Sequence, residues 1–444
     1  MTIGTSEQRA VGVPVRAQAP TPARARGRTR LGRTLLVAAL VLVPAVTMTA
    51  GRASAVGGAT AADRTDAARL KARFPVAGLG SGRVGTVVDV GSGRTVWSSA
   101  AGTGRMPASA EKLATAEAAL TVLGPGHTEQ TRTRYHAGTL YLVGGGDQVL
   151  TAGGLKTLAA ATAKALKQRG LKVTALRVDD SLFPAPTAAT TPPGWQRGYY
   201  PLEVAPVRAL GLGGARVNDT ALAAGKLFAQ QLAAAGVRLP SSGAPKRGTA
   251  PDASVALASH TSAPLSRIVE HMLKVSDNNA AEGLLRLTAL GRGKAATWKE
   301  GSAVVRSVLA GYRVPLAGVR IYDGSGLSRS DRMTASALVA LAALAVDPRY
   351  AARLRPVYAG LPVAGRDGTL AAGMHRFSTR PSSCAAGKVH AKTGSLHDAD
   401  ALVGVTLGKD GRWKAFAFVT NGDVPATRAR QGLDGLAATV TGCW

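Results

Sequence analysis

Apolar and polar positions alternate along this chain with two different periods. The first clear case is "VGTVVDVGSGRTVWSSA", where Val84, Thr86, Val88 and Val96 fall on either side of a Gly-Ser-Gly turn. Period two around such a turn predicts a β-hairpin. Before it, "ADRTDAARLKARF" reads as a short helix. After it, Pro107 opens the alanine-rich run "PASAEKLATAEAAL", read as a helix because a proline in the first turn costs no hydrogen bond.

From about Tyr135 the texture becomes mixed. A strand "TLYLVGGG", a helix from Gly154 to Gly170, a strand "VTALRVDD" and a Pro/Thr-rich loop are followed by a strand-like "YPLEVAPVRALGL" and a helix near Thr220 to Ala235. The Pro/Ser/Gly-rich "LPSSGAPKRGTAPDAS" then reads as a linker. Beyond it the helical period returns in "SRIVEHMLKV" (Ile268, Met272, Val275), in a helix after "SDNNAAEGLL", and in "TASALVALAALAV", with Thr334 as N-cap. Two strands, "ADALVGVTLG" and "RWKAFAFVTNG", are joined by Lys409-Asp410-Gly411, a hairpin signal, and a last helix runs near Ala426 to Val440. The pattern predicts an α/β (α+β) chain of 444 residues. Residues 56–134 and 259–444 would form the larger domain, and 135–258 an inserted smaller mixed domain.

Residues 1–55 break the pattern. Eight arginines against one acid, Glu7, precede or border "TLLVAALVLVPAVTMTA", and "ASA" (Ala53–Ala55) follows. A basic leader, a short apolar run and small residues form an export signal, with cleavage expected after Ala55 and a retained membrane anchor as the alternative. Taking those eight bases and one acid from a net charge of +29 leaves +22. The bases are scattered and aromatic residues are sparse, so an anionic cell wall is the expected partner and no nucleic acid is expected. The two cysteines, Cys384 and Cys443, read as a disulfide in an oxidising compartment, with two buried thiols as the alternative.

The candidate chemistry begins at Ser109. Of fifteen lysines, Lys112 alone has a serine three positions before it. Positions i and i+3 of a helix share a face, so the hydroxyl and the amine can meet. A lysine acts as a base only when neutral, which its ordinary pKa of ~10.4 opposes. A nearby cation and partial burial would lower it. Lys392 in "HAKTGSL" is the expected cation, set with Thr393 at a sheet edge, with Gly394 allowing close approach of substrate backbone. "SDN", Ser276 to Asn278, between two helices, is the expected relay. No G-x-S-x-G elbow occurs, and the seven histidines show no metal spacing, so neither a metal nor a cofactor is called for.

S-x-x-K, then S-D-N, then K-T-G, is the set found in penicillin-binding proteins and class A β-lactamases. With "PASAEKL", "LYLVGGGDQVL", "VDDSLF", "MLKVSDNNAAEGLL", "YDGSGLSRSDRMT" and "LPVAGRDGTLAAGM" in order, the chain resembles the class C low-molecular-weight penicillin-binding proteins over Thr65 to Cys443. These are the D-alanyl-D-alanine carboxypeptidase/endopeptidase family. The resemblance implies a serine transpeptidase/β-lactamase-like domain, an antiparallel sheet flanked by helices, acting on peptidoglycan stem peptides and inhibited by β-lactam antibiotics. Ser109 would be the nucleophile, Lys112 its base and Ser276 the proton relay. Asn278, Lys392, Thr393, Gly394 and Ser395 would bind substrate, Ser109 and Ser395 offering oxyanion N–H groups. A β-lactamase-like hydrolase and a non-catalytic wall-binding protein are the competing readings.

Overall fold

The computed structural model describes residues 58–444 apart from 188–189 and 241–244, so the expected leader lies outside the described residues. The first helix, α1 (Ala61–Arg73), opens with a capping box in which the Thr60 hydroxyl accepts from the Asp63 N–H and the Asp63 carboxylate accepts from the Thr60 N–H. The hairpin follows as β1 (Val84–Asp89) and β2 (Thr95–Ser99). It joins the C-terminal strands β8 (His390–Leu396), β9 (Ala399–Leu407) and β10 (Trp413–Asn421) in one antiparallel sheet of order β2-β1-β10-β9-β8.

Both faces of this sheet are covered, which explains why β9 and β10 read as continuous apolar runs. Successive side chains point to opposite faces. Val403, Val405, Ala415, Ala417 and Val419 enter the core under α8 (Ala335–Leu344). Leu402, Phe416 and Phe418 enter a second core with Leu433 and Leu436 of α10 (Ala426–Val440). Strand β8, with K-T-G, lies at the sheet edge. Across from it stands a helical layer of α2 (Lys112–Leu123), α5 (Leu265–Val275), α6 (Asn278–Leu290), α7 (Trp298–Gly311) and α9 (Ala351–Gly360).

A second sheet, β6-β5-β4-β3-β7, draws on Gln130–Thr261, a few residues beyond the expected insertion at each end. It comprises β3 (Gln130–His136), β4 (Thr139–Val143), β5 (Ala175–Asp179), β6 (Lys246–Arg247) and β7 (Val255–Thr261). Strands β4 and β5 pair in parallel through the crossover helix α3 (Ala152–Gln168). With α4 (Thr220–Ala234) they close a separate core of Leu140, Leu142, Leu158, Val178 and Phe228.

"YPLEVAPVRALGL" is not a strand. Val204, Val207 and Ala209 are buried in the larger core, and side-chain amides take the place of a neighbouring strand. Asn279 both accepts from the Ala205 N–H and donates to its carbonyl, each at 3.1 Å, and Gln148 donates to Arg208 O at 2.8 Å.

Candidate active site

Pro107 leads not into a regular first helical turn but into a 3₁₀ turn, Ala108–Glu111, with Lys112 as the first residue of α2. Ala108 has φ 48°, a left-handed value that residues with a Cβ rarely adopt. Two glycines grip this turn. A Cβ at Gly326 would sit 2.0 Å from Ala108 O, and one at Gly394 would sit 2.3 Å from Pro107 O. At Gly394 the close approach is made by the chain's own turn ahead of Ser109.

Lys112 is fully buried and its Nζ lies 2.9 Å from Ser109 Oγ, 2.6 Å from Asn278 Oδ1 and 2.7 Å from Ser325 O. Three acceptors satisfy an ammonium. Two of them, the amide and carbonyl oxygens, can only accept, so a neutral Lys112 has one place to turn its lone pair: the Ser109 O–H. Burial brings the lysine down to about 8, against the raising pull of neighbouring carboxylates, Asp323 first.

Ser276 closes α5 in a left-handed conformation (φ 61°, ψ 40°), which aims its hydroxyl out of the break before α6. Its Oγ accepts from Lys392 Nζ at 2.9 Å, and the same ammonium donates to Thr393 O at 2.9 Å. Lys392 is also fully buried and held well below the usual lysine range, first by burial and then by Lys112. The chief cause of a lowered Lys112 is thus burial, whereas a neighbouring cation was expected to share that role. Asp277 caps α6 through the Ala280 N–H (3.0 Å) and meets His271 Nε2 at 3.1 Å.

The Asn278 amide, expected to hold a substrate amide, is engaged within the chain. Its Oδ1 receives Lys112, and its Nδ2 donates to Glu203 O at 2.7 Å. Ser395 Oγ donates to Asp400 Oδ1 at 2.9 Å, and Thr393 Oγ1 lies 2.8 Å from Thr369 Oγ1. Ser109, Ser276, Asn278, Thr393 and Ser395 all line one cleft of about 1130 Å³, while Lys112 and Lys392 lie buried behind them.

Thr369, Glu203, Arg376 and Arg430 also line the cleft and carried no periodicity or spacing signal. Arg376 is braced by Asp434 (2.9 Å). His390 stacks on Tyr358 with ring centroids 4.7 Å apart, a packing role, while His397 lines the cleft. Cys384 and Cys443 are joined in a disulfide with Cα atoms 6.0 Å apart, fastening the end of α10 to the segment before β8.

The profile of the D-Ala-D-Ala carboxypeptidase 3 (S13) family matches residues 68–212 and 204–440. A carboxypeptidase DacB of Mycolicibacterium smegmatis is 32% identical over 83% of this chain and 82% of its own length. A D-alanyl-D-alanine carboxypeptidase of Actinomadura is 30% identical over 92% and 91%. Among solved structures, penicillin binding protein 4 of Haemophilus influenzae superposes with a TM-score of 0.70 at 21% identity, over 82% of this chain and 98% of that one.

Proposed function

Because the chain belongs to the D-Ala-D-Ala carboxypeptidase 3 (S13) family, a family of peptidases, we propose that Ser109 opens the bond between the two terminal D-alanines of a peptidoglycan stem peptide. Ser109 Oγ attacks the carbonyl carbon of the penultimate D-alanine and its proton passes to neutral Lys112. The oxyanion is met by the backbone N–H groups of Ser109 and Ser395; losing one such donor costs ~10²–10³ in rate. As the C–N bond breaks, Ser276, tuned by Lys392, relays a proton to the leaving amine. Water then cleaves the ester, restoring Ser109 and releasing the shortened peptide as a carboxylate. Lys392 and Thr393 suit the terminal carboxylate of the substrate.

One observation carries this reading: of the three groups around Lys112 Nζ, only the Ser109 hydroxyl can return a proton to it. A β-lactam, presenting a carbonyl in the same place, acylates Ser109. The carboxylates lining the cleft among the described residues are Glu203 and Asp277. Asp277 is committed to the Ala280 N–H and His271, which leaves the exposed Glu203 as the cleft carboxylate not so engaged, and a long-lived penicilloyl enzyme is the outcome this reading expects. That lifetime separates the reading from a β-lactamase. Export to the anionic cell wall belongs to the same proposal, supported by the leader composition, the charge and the disulfide.

Fluorescent penicillin labels the wild type and not Ser109→Ala. A wild type that stays unlabelled refutes the proposal and favours a non-catalytic wall-binding protein. Products from crosslinked and uncrosslinked muropeptides separate endopeptidase from carboxypeptidase action.

A further inference from the structure

Beside Lys112 lies a group that the acyl-transfer scheme does not use. Glu111 is fully buried, and neither carboxylate oxygen has an N–H or O–H partner. Asp323 and Asp331, from the loop before α8, bring carboxylate oxygens within 4.8 Å. The two aspartates differ in supply. Asp323 receives the N–H groups of Ser325 (3.0 Å), Gly326 (2.6 Å) and Ser328 (2.6 Å). Asp331 receives the Tyr322 N–H on Oδ1 (2.8 Å), and its Oδ2 has no donor.

Two buried carboxyls facing each other without a donor cannot both be ionised. A shared proton pairs Asp331 Oδ2 with one Glu111 oxygen and leaves the other as the carbonyl oxygen of a neutral acid. Asp331 already accepts a backbone N–H, which favours its charged form; Glu111 accepts nothing. We propose that Glu111 is a neutral carboxylic acid donating its proton to Asp331, and that this positioning residue keeps a negative charge away from Lys112 so that the lysine can serve as base. The inference rests on the assignment of Lys112 as the base for Ser109.

The surroundings offer Glu111 no other charge partner. From α6 comes Glu282, whose carboxylate accepts from Trp298 Nε1 (2.6 Å), the Gly324 N–H (3.0 Å) and Arg286 (3.5 Å). From β8 comes Lys392, committed to Ser276 and Thr393. From β9 comes Asp400, turned to Ser395. Arg329 pairs with Asp398, and Arg332 donates to the backbone carbonyls of Arg329 and Asp331. Burial pushes Glu111 and Asp331 well above the usual carboxylate range, in keeping with a retained proton.

The test is the pH dependence of Ser109 acylation by a fluorescent penicillin, followed by stopped flow. Glu111→Gln keeps the size, the neutrality and a donor, so its acid limb coincides with that of the wild type. Asp331→Asn points an amide N–H at Glu111 and converts it into an ionised acceptor. Its acid limb moves to higher pH by about 1–3 units, the usual effect of a new opposite charge beside a titrating group. The proposal is overturned if Glu111→Gln moves the limb to lower pH, if Asp331→Asn leaves it in place, or if Glu111→Gln does not fold. Should Asp331→Asn not fold, infrared spectroscopy above pH 8 decides. Glu117, also fully buried without a donor, gives a band of its own, so the deciding band is one present in the wild type and in Glu117→Gln: its loss in Glu111→Gln supports the proposal, and its persistence there overturns it. A wild type that never acylates defeats the functional reading, while the infrared comparison still locates the proton.

Discussion

Gly394→Ala tests how the K-T-G strand contributes to catalysis. An added Cβ would stand 2.3 Å from Pro107 O, 3.1 Å from Ala401 Cβ and 3.2 Å from Ala108 Cβ, where ordinary van der Waals contact begins near 3.4 Å. The worst overlap is with backbone two residues from Ser109, and that backbone is pinned from behind by Gly326 against Ala108 O. About 1 Å of movement must be found, and a misplacement of about 1 Å costs on the order of 10²-fold in rate. Acylation of Ser109 by a fluorescent penicillin is therefore expected to slow about 10²-fold. Strand β8 keeps its ladder to β9, so the variant should stay folded, with stability by urea titration lower by the ~1–3 kcal/mol typical of overpacking. A Gly394→Ala enzyme that acylates within threefold of the wild-type rate would refute the claim that this glycine seats the nucleophile turn.

Three further outcomes follow from the same structure. If neutral Lys112 is the base, as proposed, acylation should rise with pH through about 8, the value to which burial brings it; a rate flat from pH 6 to pH 9 contradicts this. Lys414 is buried among Asp63 (2.6 Å), Asp89 (2.8 Å) and Asp410 (2.9 Å). Lys414→Met should cost about 3–5 kcal/mol at neutral pH by urea titration, since three carboxylates lose their shared cation. In the wild type Lys414 and the Thr60 N–H hold Asp63 down at about 2 against its burial. Its contribution to stability is thus present above about pH 4 and lost as pH falls towards 2, so the deficit of the variant should shrink over that window. Replacing Cys384 and Cys443 together by serine opens a link between residues 59 apart and should lower stability by about 4 kcal/mol in the chain-entropy limit, with acylation of the folded fraction unchanged.

Period-two and 3.6-residue patterns exposed the elements whose faces are apolar. Strands β1, β4, β9 and β10 and helices α5, α6, α8 and α10 stand where the pattern puts them. Strand β3 escaped because its inward positions are Thr131 and Thr133, with arginines between them, so no apolar alternation exists to read. Strand β6 lies inside the stretch read as linker, and β7, just beyond it, is a half-exposed edge of small and polar residues with no apolar alternation. The opposite error came from 200–212, whose apolar residues point into the core of another layer and whose backbone is held by Asn and Gln side chains. Ser109, Lys112, Ser276 and Lys392 were legible because their chemistry fixes residue type and order. Thr369 and Glu203 were not, because only the folded chain brings them to the cleft. Glu111 could be read as a polar helix position; its isolation from every donor appears only in three dimensions.

Asn278 and Asn279 face in one sequence direction but serve two masters. The first joins Lys112 to the carbonyl of Glu203, and the second clasps Ala205 from both sides. The stretch carrying Glu203 and Leu202 comes from the chain between the two sheets' motifs and forms one bank of the cleft. Substitutions along that bank can change which peptide is admitted without altering the serine and lysines beneath, while the two asparagines keep the bank in register. One wall of the cleft and the serine and lysines beneath it thus come from different stretches of one polypeptide, tied together at a single pair of amides.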